Sequence, residues 1–331
     1  MKKGFQQLTG VFPKPYRMAP ALLIYLIIMV LGMSGCSGDS QPASSITVAG
    51  STSVQPFMDL LAEEYARLYP DKPAVNVQGG GSSAGVRSVL TGAASVGMLS
   101  RRLTSDEAAE NLNVIVMAQD AIAVIVNPQN PITDISLEDL CKIYTGEITD
   151  WGQLSQVTQG TQVSTADSPG NQDSQATQEP AGQGSSEGEE PDNAEAPFQG
   201  RIHVISREEG SGTRGAFDEL VMGGQEVTPR SIFQDSNGAI RQTVAQDPMA
   251  IGYISLGLVD DSVKPLAISG VAPTVENCRS GKYMLVRPFI LVFQHDVGPE
   301  VRDYLDFVTG PHSREILSGE GLITDGEEAA R

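Results

Sequence analysis

Ile202-His203-Val204-Ile205-Ser206-Arg207-Glu208-Glu209-Gly210-Ser211-Gly212-Thr213 decides how this 331-residue chain is read. Ile202 to Ile205 predict a strand, the Gly/Ser-rich stretch a turn, and Thr213 to Val221 a helix. A helix start offers unpaired backbone N–H groups and the positive end of a dipole, so it binds anions without needing a cation. Glycines let the backbone approach closely, and Ser and Thr hydroxyls add neutral donors. This turn carries a cation as well: the Arg207 fork suits paired hydrogen bonds to two oxygens of one oxyanion. The competing reading of Arg207 is a surface ion pair with Glu208 or Glu209.

Two more turns of this kind lie upstream. Ala49-Gly50-Ser51-Thr52-Ser53 follows the apolar run Ile46 to Ala49, and Gly79-Gly80-Gly81-Ser82-Ser83-Ala84-Gly85 follows Val75 to Val77. Each precedes a helical pattern: Val54 to Tyr69, with Pro56 in its first turn, and Ala84 to Leu90. A single such turn reads as an ordinary helix cap. Three of them, one with an arginine, point to a small-oxyanion site. Farther along, strands are expected at 114–116, 121–126, 251–255 and 285–293, and helices at 137–144, 239–245 and 301–309. Ser136 is a plausible N-cap for the first of these helices. Strand–helix alternation of this kind predicts α/β layers with largely parallel sheets.

The N-terminus reads as a targeting segment. Lys2, Lys3, Lys14 and Arg17 precede sixteen uncharged residues, Met18 to Met33, which is short for a membrane span of roughly 20 residues. Ser34-Gly35-Cys36 then resembles a bacterial lipoprotein signal, which implies cleavage after residue 35 and acylation of Cys36; a retained signal anchor is the alternative. Residues 36–45 form a polar tether. Losing the four basic residues moves the formal charge from −19 to −23. That acidity, with no basic stripe, argues against nucleic acid as a partner. It also means that long-range attraction does not bring in an anion, so a local site must overcome an adverse field.

Ser155 to Gly200 breaks the pattern: 46 residues with eight acids, no Lys or Arg, and only Val157, Val163 and Phe198 as large apolar residues. It reads as a disordered acidic insertion within a domain. Cys141 and Cys278 are expected as free thiols, a disulfide being the alternative. The three histidines and these cysteines show no metal-ligand spacing, and no cofactor motif is present.

The three turns, together with Ala123-Val124-Ile125-Val126-Asn127-Pro128, Ile143-Tyr144-Thr145-Gly146-Glu147-Ile148-Thr149-Asp150-Trp151, Ile251-Gly252-Tyr253 and Arg287-Pro288, resemble the phosphate-binding proteins of bacterial ABC importers. The similarity runs from Ile46 to Leu322 except for the insertion. It implies an α/β, two-lobed class II periplasmic-binding-protein fold with a double hinge crossover: lobe one from 46–125 plus 252–331, lobe two from 126–251. It further implies inorganic phosphate as ligand, held by Thr52, Ser53, Ser82, Ser100, Arg207, Ser211, Gly212 and Thr213, with Glu209 orienting Arg207. A monomer, lipid-anchored on the extracytoplasmic face and working with ABC permease and ATPase subunits, is implied too.

Many such proteins have an Asp where an ungapped comparison places Ser100, in Gly97-Met98-Leu99-Ser100-Arg101-Arg102. A hydroxyl discriminates less strongly than a carboxylate against fully ionised sulfate. Arg101 is read as a solvated residue opening the next helix, a second site cation being the alternative. Rival functions are a binding protein for another, sulfate-like oxyanion and a sensor or adhesion lipoprotein without transport. A phosphatase or phosphotransferase would need a metal cluster or a Lys-bearing phosphate loop, and Gly79-Gly80-Gly81-Ser82-Ser83 lacks the lysine.

Overall fold

The computed structural model describes residues 45–154 and 198–324. The signal segment, Cys36, the tether up to residue 44, and residues 155–197 of the insertion lie outside the described residues.

The chain opens as a strand–helix–strand–helix–strand unit: β1 (Ile46–Gly50), α1 (Gln55–Leu68), β2 (Val75–Gly79), α2 (Ser82–Leu90) and β3 (Val96–Leu99). β1 lies between β2 and β3 and is parallel to both. α1 begins with a Pro in its first turn and buries Phe57, Met58, Leu61 and Tyr65 on one face. α3 (Ser105–Ala109) starts on a Thr104–Glu107 capping box and leads into β4 (Asn113–Val126).

β4 is one 14-residue strand where the sequence reads as two short ones, because past an irregularity at Met117 residues Ala118 to Asp120 continue the ladder with β11 (Val286–Phe293). Between β4 and β11 come β5 (Asp134–Ile135), α4 (Leu137–Thr145), β6 (His203–Arg207), α5 (Gly212–Phe217), β7 (Ile232–Gln234), α6 (Asn237–Gln246), β8 (Ala250–Ser255), β9 (Lys264–Pro265), β10 (Ala267–Ile268) and α7 (Val275–Arg279). The helix expected to run to Val221 is α-helical only to Phe217 and continues as a π-helical turn, Asp218–Met222. α8 (Pro299–Thr309) and α9 (Pro311–Gly319) close the chain.

The main sheet runs β2-β1-β3-β11-β4-β8-β6-β7. It is mixed rather than largely parallel: β11 is antiparallel to β3 and β4, and β4 is antiparallel to β8. β4 joins the two halves, pairing with β11 over Asn113–Ala121 and with β8 over Ile122–Val126.

Apolar side chains collect on either side of this strand. Val48, Phe57, Leu61, Tyr65, Val96, Phe289, Tyr304 and Leu317 form one cluster. Leu140, Tyr144, Trp151, Phe217, Tyr253, Leu266, Cys278, Tyr283 and Leu285 belong to another. In the second, Phe217 stacks on Tyr253 with ring centroids 4.0 Å apart, and Tyr144 packs against Phe217 at 4.6 Å. Trp151 is fully buried and its Nε1–H donates to Met249 O at 3.1 Å.

The last residues assigned to the insertion belong to the fold. Phe198 packs 6.1 Å from the Trp151 ring, and Trp151 N–H donates to Gly200 O at 3.0 Å. Phe198 is therefore an anchor, and Leu154 and Phe198, on either side of 155–197, both pack on the Trp151 cluster. Cys141 and Cys278 are both free, the first half-buried and the second buried.

Truncating Phe217 removes the centre of this aromatic group and leaves a cavity. Phe217→Ala should lower unfolding free energy by about 3–5 kcal/mol, read from chemical denaturation.

Candidate functional site

The three Gly/Ser turns follow the C-terminal ends of β1, β2 and β6 and meet. Gly81 N–H donates to Gly50 O at 2.9 Å, tying the first turn to the second, and Ser83 N–H donates to Gly210 O at 3.2 Å, tying the second to the third. Gly81 has φ +90°, a conformation that favours glycine. At Gly212 the need is space: a Cβ would lie 2.0 Å from Ser82 Oγ and 2.5 Å from Ser100 Oγ.

Hydroxyls line the meeting point. Ser51 Oγ donates to Ser100 Oγ at 2.8 Å, and Ser100 N–H donates to Ser82 Oγ at 3.2 Å. Ser53 Oγ and Thr213 Oγ1 are 2.7 Å apart. Arg207 Nη2–H donates to Thr52 Oγ1 at 3.2 Å. Thr52, Ser53, Ser82, Ser100, Arg207, Gly212 and Thr213 are thus brought together. The Ser211 hydroxyl caps its own helix, accepting from Arg214 N–H at 3.3 Å.

Arg207 is 1% exposed. Its Nε–H and Nη2–H donate to the Glu208 carboxylate at 2.9 Å each, and they also reach Gln234 O and Asp235 O. The orienting carboxylate is therefore Glu208, not the expected Glu209, which is exposed. Glu208 folds back along the guanidinium edge, whereas Glu209 points to solvent from the turn. The competing surface pair with Glu208 forms, yet the arginine itself is buried. Nη1 of Arg207 has no hydrogen-bond partner among the described residues. A buried cationic N–H without a partner is costly, and Arg287 Nη1 is in the same condition.

Tyr253 braces the turn from below. Its hydroxyl is 3.0 Å from Ser206 Oγ and accepts from Arg207 N–H at 3.4 Å. Burial pushes the Tyr253 phenol up to about 12, so it is neutral at physiological pH.

Arg101 departs from its reading as a solvated residue. It is 8% exposed and donates to both Glu107 oxygens, at 2.6 and 2.8 Å, and to Ser83 Oγ at 2.9 Å. Its charge is neutralised by Glu107, and it holds the second turn from behind.

Four contributors escape the sequence reading. Ser51 closes the ring at Ser100. Asn237 Nδ2–H donates to Ser53 Oγ at 2.9 Å. Arg287 Nη2–H reaches the same oxygen at 3.3 Å, and Arg287 is itself paired with Asp120 at 3.0 Å. Arg287 and Asp120 are each the one charge in otherwise apolar runs of adjacent strands, and that is the signal that could have found them. Burial raises the Asp120 carboxyl above its ordinary range, and Arg287 opposes this. Arg287 is lowered by its own burial, which Asp120 opposes.

A separate cavity of about 150 Å³, lined in part by Ile143, Thr149, Arg201, Thr228 and Arg230, shares no residue with the turns. His203 and His312 pair with Asp247 and Glu64, away from the turns.

Comparison with known proteins gives the family. Residues 37–312 match the model of the PBP superfamily domain. The phosphate-binding protein PstS of Bacillus subtilis is 27% identical over 86% of this chain and 82% of its own. The structure of a substrate-binding protein with bound phosphate from Clostridium perfringens is 33% identical and superposes with a TM-score of 0.70, covering 86% of this chain and 100% of that one. An ABC-type phosphate transport receptor from Vibrio cholerae is 32% identical, with a TM-score of 0.62 over 85% of this chain and 100% of its own. The chain belongs to the PBP superfamily, in the family of the phosphate-binding proteins of ABC transporters.

Proposed function

We propose that this chain is an extracytoplasmic binding lipoprotein that captures inorganic phosphate by hinge closure and delivers it to the permease and ATPase of an ABC importer. The observation that carries this reading is the meeting of hydroxyl-bearing turns and helix starts beside buried Arg207, whose Nη2–H reaches Thr52 Oγ1 and whose Nη1 has no partner among the described residues. The phosphate bound in the Clostridium perfringens relative supports phosphate as the ligand.

The donors come from both sides of β4. Thr52, Ser82 and Ser100 extend from β1, β2 and β3, whereas Arg207, Thr213 and Asn237 extend from β6 and the starts of α5 and α6; Ser53 sits between the two sets, bonded to Thr213 and Asn237. Only an arrangement with both sets together surrounds a tetrahedral anion, so the ligand shifts an open–closed equilibrium toward the closed state. Packing supports hinge crossings within β4 and at the entry to β11. Leu266, Ile268, Cys278, Tyr283 and Leu285 share the Tyr144 cluster, which favours placing residues 256–285 with lobe two rather than with lobe one from residue 252.

Ser100 tunes selectivity. Its oxygen accepts from Ser51 and keeps one lone pair for a hydrogen on the ligand, which hydrogen phosphate carries and sulfate lacks. The chain is anchored through acylated Cys36 and works as a monomer. Among the described residues no helix is long and apolar enough to cross a membrane.

Calorimetric titration of the phosphate-stripped chain should give tight phosphate binding, weaker sulfate binding, and at least about 30-fold weaker phosphate binding in Arg207→Ala. Equal or stronger sulfate binding would assign Ser100 a change of specificity, and no binding of either anion would remove the phosphate reading. Gly212→Ala puts a methyl where Ser82 and Ser100 already stand, so it should weaken phosphate binding by at least about tenfold and lower the thermal midpoint by several degrees, leaving the chain folded at room temperature. Cys36→Ser should move the chain from the membrane fraction to the soluble fraction if Cys36 is acylated, and unchanged partitioning would argue for a retained signal anchor.

A further inference from the structure

Ser53 has an unusual set of neighbours. Its Oγ receives hydrogen bonds from Asn237 Nδ2 at 2.9 Å and Arg287 Nη2 at 3.3 Å. The amide of Asn237 is not free to turn over, because its Oδ1 accepts from Ser255 N–H at 3.2 Å, which leaves Nδ2 facing Ser53. Arg287 is equally fixed: its Nε and Nη2 both donate to Asp120 Oδ2, at 3.2 and 3.0 Å. Ser53, Asp120, Thr213, Asn237 and Arg287 are each 2% exposed or less, so bulk water does not scramble the pattern.

A hydroxyl has two lone pairs and one hydrogen. With both lone pairs occupied, Ser53 acts only as a donor. The acceptor in reach is Thr213 Oγ1 at 2.7 Å. Thr213, having accepted from Ser53, turns its own hydrogen away from Ser53. In a low-dielectric interior each bond in such a chain polarises the next, so the charge of Arg287 is felt at Thr213 although Asp120 neutralises it locally.

We propose that Asp120, Arg287 and Asn237 form a positioning unit that sets the direction of the Ser53–Thr213 hydroxyl pair, so that Thr213 presents its hydrogen to the bound oxyanion. This rests on the anion-site reading above. It gives the buried ion pair a role beyond stability. It also couples donor direction to closure. Arg287 and Asp120 sit on β11 and β4, whereas Asn237 opens α6 among the elements that carry Arg207. Both lone pairs of Ser53 are filled only when those elements are together, so the hydroxyl chain is aligned in the closed arrangement and loosened in an open one.

The test is a double-mutant cycle read by calorimetric titration with inorganic phosphate. In the unaltered chain, Thr213→Val should weaken binding at least about tenfold. Asp120→Asn combined with Arg287→Met removes both buried charges together, leaving neither uncompensated. In that background the relay is gone, so adding Thr213→Val should cost no more than about threefold. Losses that multiply in full would overturn the proposal, because a merely structural pair does not couple to one ligand hydroxyl. Should the double variant not fold, Arg287→Lys keeps the charge beside Asp120 and gives up the planar fork that also reaches Ser53. It should bind phosphate at least about tenfold more weakly at a similar thermal midpoint, and unaltered binding would overturn the relay. If the unaltered chain binds no phosphate, the anion-site reading and the relay fall together. If it binds phosphate and the cycle is additive, only the relay falls.

Discussion

Arg207 is a permanent cation held with 1% of its surface exposed, and much of the local structure follows from that constraint. A buried guanidinium must be paired and hydrogen-bonded or the desolvation penalty is prohibitive. Glu208 takes one edge, and the carbonyls of Gln234 and Asp235 lie against it as well. Those carbonyls are in place because β7 pairs in parallel with β6, setting Gln234 opposite Arg207. The Phe217–Tyr253 stack lies in the core below the same turn, and Tyr253 receives the Arg207 backbone N–H. Among the described residues Nη1 is left without a partner, and Nη2 also reaches Thr52 Oγ1 in the turn after β1.

The topology explains why the turns meet there. β1 and β2 run parallel, and so do β6 and β7, so within each half-sheet the C-terminal ends lie at one side. Ligands in open α/β sheets bind outside the carboxyl ends of the strands, where helix starts also gather. β4 carries one half-sheet into the other by pairing with β11 along its first part and with β8 along its second. The Asp120–Arg287 pair lies near the switch between these two partners, which places a buried ion pair next to the junction of the two half-sheets.

Much of this was legible in the sequence because turns announce themselves. Gly and Ser clusters between a strand and a helix pattern located the three turns, the one arginine in such a cluster drew attention to Arg207, and the family resemblance picked out Thr52, Ser53, Ser82 and Thr213 within them. What was missed has a physical cause in each case. The choice between Glu208 and Glu209 depends on which side chain folds back along the guanidinium, and adjacent residues in a turn look alike in sequence. Arg101 looked solvated because its partner Glu107 comes from the next helix. Phe198 looked like part of the insertion because composition does not reveal that one aromatic at its edge packs on Trp151. The mixed sheet was hidden because β11, the central antiparallel strand, arrives from far along the chain and reads as a simple apolar run.

The charge of the chain sharpens what kind of binding this is. At −19 overall, the protein repels an anion at long range, and the three buried arginines among the described residues, Arg101, Arg207 and Arg287, are each matched by a carboxylate. The site is therefore close to neutral in formal charge. An oxyanion in it is met by hydrogen bonds and helix starts more than by net positive charge. Such contacts are short-ranged and buried, so salt screens them weakly compared with exposed ion pairs. They are also directional: a hydroxyl favours the anion only when its hydrogen points inward. In a site built this way, the groups that fix hydroxyl direction matter as much as the hydroxyls themselves, and that is where Asp120, Arg287 and Asn237 stand.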